Sequence, residues 1–85
     1  MSNMTLPYVD MESTGLNIKR LMDNAGITVK QVQKVMGFNT PSAIYPWLDG
    51  RHMPTIDNLV ILSKILGVTI DDIVIVKGGD KNNGY

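Results

Sequence analysis

The sequence predicts an all-α domain of five helices, and three observations carry that expectation. Four segments open on a threonine and close on a glycine or run toward the chain end: Thr28 to Gly37, Thr40 to Gly50, Thr55 to Gly67, and Thr69 onward. A threonine hydroxyl accepts the free N–H groups of a first helical turn, and glycine enters the left-handed conformation that ends a helix. Apolar residues within and before these segments recur at the three- and four-residue steps of a helix. The 85 residues are 44% apolar and 19% charged, a composition that packs one compact core rather than remaining unfolded.

The first helix is expected from near Gly15 to Asn24, because Ile18, Leu21, Met22 and Ala25 recur at i, i+3, i+4 and i+7 before Gly26, with Lys19, Arg20 and Asp23 facing water. In the second, Val29, Val32, Val35 and Met36 form the buried stripe, while Lys30, Gln31 and Lys34 face outward. The third buries Ile44, Trp47 and Leu48 and leaves Ser42, Ala43, Tyr45 and Pro46 on or near its other side. The fourth, Thr55 to Leu66, is the most apolar and is expected at the centre, with Ile56, Leu59, Val60, Leu62, Ser63 and Leu66 directed inward. In the last, Thr69 followed three residues later by Asp72 spells a cap, and Asp71 and Asp72 suit the positive end of a helix dipole. Its continuation, Ile73 to Val76, is β-branched, so one or two helical turns are expected against an extended alternative.

The chain ends carry less pattern. Residues 1–12 read as an N-terminal arm in which Leu6, Pro7, Tyr8 and Val9 lie irregularly over the core, residues 13–76 as the folded domain, and residues 77–85 as a disordered tail.

Several function classes are excluded by composition. The absence of cysteine removes disulfides and thiolate metal sites, and the single histidine, His52, has no second histidine to complete another kind of metal centre. Leu59 to Ile70 is interrupted by Ser63, Lys64, Gly67 and Thr69, whereas a membrane span needs about 20 apolar residues. No basic segment precedes an apolar run at the start, so no signal peptide is read and a cytoplasmic protein is expected. An enzyme is not expected, nor a cofactor: there is no glycine-rich phosphate loop, and the adjacent Asp71 and Asp72 diverge by about 100° on a helix. The net charge is zero, but residues 16–54 hold five cations, Lys19, Arg20, Lys30, Lys34 and Arg51, against Asp23 and Asp49. Positive charge therefore gathers in the segment that carries the first helices, residues 16–54.

The segment TVKQVQKVMG, followed after two residues by TPSAIYPWLDG, resembles the helix-turn-helix of the phage-repressor (Cro, lambda-repressor) and xenobiotic-response-element (XRE) family. The likeness extends over about residues 13–76, through TGLNIKRLMDNAGITVKQVQKVMG, AIYPWLDG and MPTIDNLVILSKILGVTIDDI in the family's order. It implies a lambda-repressor-like fold that binds double-stranded DNA, with the second helix crossing the backbone and the third, about residues 40–49, in the major groove. Carried across by position, Pro41, Ser42, Ala43, Tyr45 and Pro46 would face the groove, Ser42 supplying a permissive donor and acceptor and Tyr45 reaching a phosphate or a sugar edge. Thr28 and the N–H groups of Val29 and Lys30 would receive a phosphate at the helix N-terminus. Lys34, Thr40, Arg51 and His52 complete the backbone contacts implied, Arg51 foremost.

The sequence departs from the family at three places. Gln33 stands where a small residue usually lets the two helices cross, and the turn after Gly37 is one residue longer than in the most compact versions. These changes are mutually consistent, since an added residue shifts the third helix enough to seat Gln33 or point it outward. Pro46 is the third departure, and in a helix interior a proline costs about 3 kcal/mol. Either the third helix is kinked, or it starts later, near Ser42, so that Pro46 falls in its first turn.

Two functions fit. One is a sequence-specific DNA-binding transcriptional regulator of bacterial or phage type, forming a homodimer through the exposed parts of Ile70, Ile73, Val74 and Ile75 in the C-terminal helix. The other is a protein-interaction module on the same fold, an antitoxin or anti-repressor component with a protein partner, which the zero net charge and Pro46 motivate.

Overall fold

The computed structural model describes residues 6–79. A short strand β1 (Tyr8–Val9) leads into α1 (Met11–Ala25), followed by α2 (Val29–Met36), a 3-10 turn (Pro41–Ala43), α3 (Tyr45–Leu48), α4 (Ile56–Leu66), α5 (Ile70–Ile73) and strand β2 (Val76–Lys77). Five helices are present as expected, with one antiparallel pair of strands beside them, Tyr8 opposite Lys77 and Val9 opposite Val76. No helix among the described residues is long and apolar enough to cross a membrane.

The threonine and glycine punctuation sets most boundaries. The side chains of Thr28, Thr55 and Thr69 accept from Gln31, Asn58 and Asp72 N–H, while Gly26, Gly37 and Gly67 close α1, α2 and α4. At Thr69 the box is reciprocal, since Asp72 Oδ2 also accepts the Thr69 N–H at 2.9 Å. α1 begins four residues before Gly15, because Asp10 caps it by accepting the Ser13 N–H at 2.8 Å. That start carries no apolar periodicity, so only the cap could have marked it.

The third helical segment is broken. Thr40 caps a 3-10 turn at Pro41–Ala43, Ile44 links it to α3, and Pro46 is the second residue of α3. Of the two resolutions, the later start holds, at Tyr45. A first-turn position has no intrahelical partner for its N–H, so the proline deletes no bond there.

The core joins Ile18 and Met22 of α1, Val32 of α2, Ile44, Trp47 and Leu48, Leu59, Leu62 and Leu66 of α4, and Ile73. Phe38 meets Trp47 edge-on with ring centroids 6.1 Å apart. The buried Ser63 donates its hydroxyl to the Val60 carbonyl at 2.7 Å. Ala25, Val35, Ile56 and Val60, expected inward, are exposed. Val29, Val32 and Met36 already span the contact face of α2, and Leu59, Leu62, Ser63 and Leu66 fill the stripe of α4. Ile56 is the first residue of α4, so its side chain leans beyond the core.

Beyond the core, one close crossing and a set of polar bonds bind α1 to the rest. A Cβ on Gly15 would lie 2.5 Å from the Trp47 carbonyl oxygen and 2.6 Å from that of Leu48, so only glycine lets α1 cross α3 this closely. Two residues on, the buried Asn17 donates to the Asp72 and Ile73 carbonyls at 2.7 and 2.9 Å, satisfying the end of α5, and Arg20 donates to Asn17 Oδ1 at 2.7 Å. Thr14 Oγ1 accepts the Ile75 N–H at 2.9 Å, the Asp10 N–H donates to the Ile75 carbonyl at 2.8 Å, and Lys77 Nζ pairs with Asp10 at 3.0 Å.

This polar seam decides one expectation and corrects two. Of the one or two helical turns expected after Thr69 one forms, Ile70–Ile73, and the extended alternative holds from Val74 on; Lys77 belongs to a strand rather than to a tail, and Tyr8 and Val9 pair by backbone instead of lying irregularly over the core. The tail expected over residues 80–85 lies outside the described residues, as do residues 1–5.

Gly15→Ala is expected to force α1 and α3 apart, lowering the urea midpoint without changing the slope, at a cost of about 1–3 kcal/mol. Acid should weaken the seam. The Ser13 N–H, then the Lys77 ammonium, hold the Asp10 carboxyl below its ordinary value, and the Thr69 N–H and hydroxyl do the same for Asp72, while Asp10 raises Lys77. The carboxylate contributions are complete above the ordinary value of about 3.9 and are lost as pH falls through the depressed folded values. That of Lys77 is complete below its ordinary value and is lost as pH rises through the raised one. Melting temperature against pH should therefore fall below about pH 4, and the double substitution Asp10→Asn, Asp72→Asn should give a lower neutral plateau with a shallower acid limb.

Candidate nucleic-acid interface

The expected contact residues fall into three groups, each held by local chemistry. The first is the N-terminus of α2. Thr28 Oγ1 accepts the Gln31 N–H at 3.2 Å, and Gln31 Oε1 accepts the Thr28 N–H at 2.8 Å. This reciprocal box, legible as Thr-x-x-Gln but not singled out from the sequence, satisfies two of the four free N–H groups of the first turn. The remaining two belong to Val29 and Lys30, the pair expected to receive an anion, so Thr28 itself acts mainly as the cap that aims them.

Thr28 and Val29 border an open groove between α1, α2 and α3. Lys19, Asp23, Thr28, Val29, Tyr45 and Asp49 line its rim and walls over Met22, Ile27 and Leu48. Tyr45, 51% exposed, thus stands beside the N-terminus of α2, with the residues expected to meet the phosphate backbone. Lys30 and Lys34 are exposed on α2, Lys34 in its last turn.

The second group is the 3-10 turn. Thr40 Oγ1 and Ser42 Oγ are 2.7 Å apart, and the Ser42 N–H donates to Thr40 Oγ1 at 3.3 Å. One hydroxyl proton is spent inside the pair, leaving the other hydroxyl free to donate and the Ser42 oxygen free to accept whichever way the pair is oriented. Ser42 and Ala43 are exposed, whereas Pro41 and Pro46 are half-buried and offer a smaller surface than expected. Gln33 is half-buried and donates Nε2 to the Phe38 carbonyl at 3.3 Å, in the connection that leads to the turn. The long side chain at this crossing is therefore seated rather than pointed outward.

The third group follows α3. Arg51 and His52 both donate their backbone N–H to the Pro46 carbonyl, at 2.9 and 3.2 Å, and both side chains are exposed. The Arg51 side chain is not free. Its Nε lies 2.9 and 2.8 Å from the two carboxylate oxygens of Asp49, and a terminal nitrogen lies 2.8 Å from Oδ2. Gly50 between them adopts a φ of 82°, and a Cβ there would meet the Glu12 backbone at 2.7 Å. This ion pair was missed in the sequence because Asp49 and Arg51 carry no periodic signal, although an acid two residues before an arginine across a turn glycine marks it.

No curated protein matches the chain. Among solved structures the chain is similar to the crystal structure of the DNA-binding domain of BldD, with a TM-score of 0.64 and 13% identity over 78% of this chain and 94% of that one. That likeness shows the fold alone. A family model described as helix-turn-helix matches residues 18–73, from the middle of α1 to the end of α5. The chain belongs to the XRE-type helix-turn-helix family.

Proposed function

We propose that this protein is a sequence-specific DNA-binding transcriptional regulator working in the cytoplasm. The observation that carries the reading is the boxed N-terminus of α2, where Thr28 and Val29 line the same groove as Tyr45 and the Val29 and Lys30 N–H groups are left without a partner in the helix. A phosphate at that end meets two N–H donors and the positive end of the dipole, the arrangement that binds anions at helix termini. The similar BldD structure is that of a DNA-binding domain, which supports the same reading.

In this reading α2 crosses the backbone, and the 3-10 turn with the start of α3 enters the major groove in place of one continuous helix. Ser42 and Ala43 meet base edges, the Ser42–Thr40 pair offering hydroxyl donors and acceptors and the Ala43 methyl touching thymine methyl groups. Lys30, Lys34, Arg51 and His52 serve the backbone. With few cations, affinity relies on fit and backbone donors more than on counterion release.

A second copy completes the operator reading. Of the expected self-contact residues Ile73 drops out, because it is fully buried in the core, while Ile70 and Val74 line an apolar groove. Val9, Pro54, Ile56, Leu59 and Val76 also wall that groove, and Ile56 is 70% exposed. We infer that two chains pair across this groove about a twofold axis, giving half-sites about one helical turn apart.

Fluorescence anisotropy with duplexes from the protein's own upstream region is expected to show saturable binding at low salt. Arg51→Ala should lower the slope of log affinity against log salt by about 1; an absence of saturable binding to every upstream sequence contradicts the reading. In sedimentation, the wild type should associate and Ile56→Glu should be monomeric. A monomeric wild type that co-purifies with a neighbouring gene product favours the protein-interaction module instead.

A further inference from the structure

The cation best placed to reach DNA is already occupied. Asp49 takes the Nε edge of the Arg51 fork with both carboxylate oxygens, at 2.8 to 2.9 Å, and also accepts the Arg51 backbone N–H at 3.2 Å. Two oxygens on a guanidinium edge are what a phosphate offers to an arginine. Asp49 also lines the groove onto which the N-terminus of α2 opens, so its negative charge stands where an incoming phosphate would come to rest.

We propose that Asp49 is a positioning residue that holds Arg51 as an internal substitute for phosphate and restrains its engagement with nucleic acid. The inference rests on the DNA-binding reading above. Engagement requires Arg51 to exchange one anion for another, which leaves the Asp49 carboxylate beside the DNA backbone. The exchange gains little on random sequence and more where base contacts fix the backbone close to Arg51. Asp49 thereby suppresses non-specific binding more than specific binding. The pair also gives the zero net charge a local meaning, since one of the cations of the helix-turn-helix is neutralised at its point of use. Both side chains are substantially exposed, 65% for Arg51 and 48% for Asp49, so water screens the pair and the exchange is easily reversed.

The test is a double-mutant cycle on the full chain with Asp49→Asn, Arg51→Gln and the two combined, by anisotropy across a salt series on an upstream duplex that the wild type binds and on a scrambled duplex. Asparagine keeps an oxygen for the Arg51 N–H, so the turn is retained, and a circular dichroism melt confirms it. Asp49→Asn is expected to tighten binding to scrambled DNA by roughly three- to tenfold at low salt, with a smaller gain on the upstream duplex. In the Arg51→Gln background the same change should give less than about twofold. An equal gain in both backgrounds would mean that Asp49 acts as a general repulsive charge, and no gain would mean that it only shapes the turn; either overturns the proposal. A wild type that binds neither duplex overturns the DNA-binding reading itself, a failure separable from the other two.

Discussion

The fold depends on how closely α1 approaches the elements that follow it. At Gly15 the helix lies against the carbonyls of Trp47 and Leu48 with no room for a methyl group, and within one turn of that point Thr14 and Asn17 satisfy backbone groups of α5 and the segment after it. The small α3 has too few residues to stand as an independent helix, since isolated helices shorter than about 12–15 residues are marginal in water. It is held because Trp47 and Leu48 are buried and because α1 presses on their backbone. Two parts of the proposed interface, the 3-10 turn before α3 and the arginine after it, are suspended from that contact.

The break in the third segment follows from the same economy of contacts. A continuous helix through residues 40–49 would place Pro46 in its interior, where its ring crowds the preceding turn. Starting the helix at Tyr45 moves the proline to a position without that conflict, and Thr40 then caps a separate 3-10 turn. The turn presents Ser42 and Ala43 on a short, internally bonded loop, so geometry at the proposed reading surface is set in part by the Thr40–Ser42 hydroxyl pair.

Much of this was legible in the sequence, and the remainder has identifiable physical causes. Threonine caps and closing glycines are local signals, so the boundaries at Gly26, Gly37 and Gly67 and the buried Ile44, Trp47 and Leu48 could be read from spacing. The strand pair joins Val9 to Val76, and the Asn17 bonds reach residues 72 and 73; partners so far apart leave no periodic trace. Exposure of Ile56 and Val60 was hidden for a related reason, because periodicity shows which residues share a side but not how far the neighbouring helices extend over it. At the candidate site, the residue types were legible and their engagement was not: Thr28 is committed to Gln31, Ser42 to Thr40 and Arg51 to Asp49.

The central functional claim is that the N-terminus of α2 and the 3-10 turn form one nucleic-acid surface. An amide-shift titration of the isotope-labelled chain with an upstream duplex tests it most directly. The expected result is that the Val29, Lys30, Ser42 and Arg51 amides shift together and saturate at one stoichiometry, while the Ile56, Ile70 and Val76 amides shift no more than DNA-induced pairing of two chains requires. Shifts confined to that apolar groove, with Val29, Lys30 and Ser42 unmoved, would contradict it.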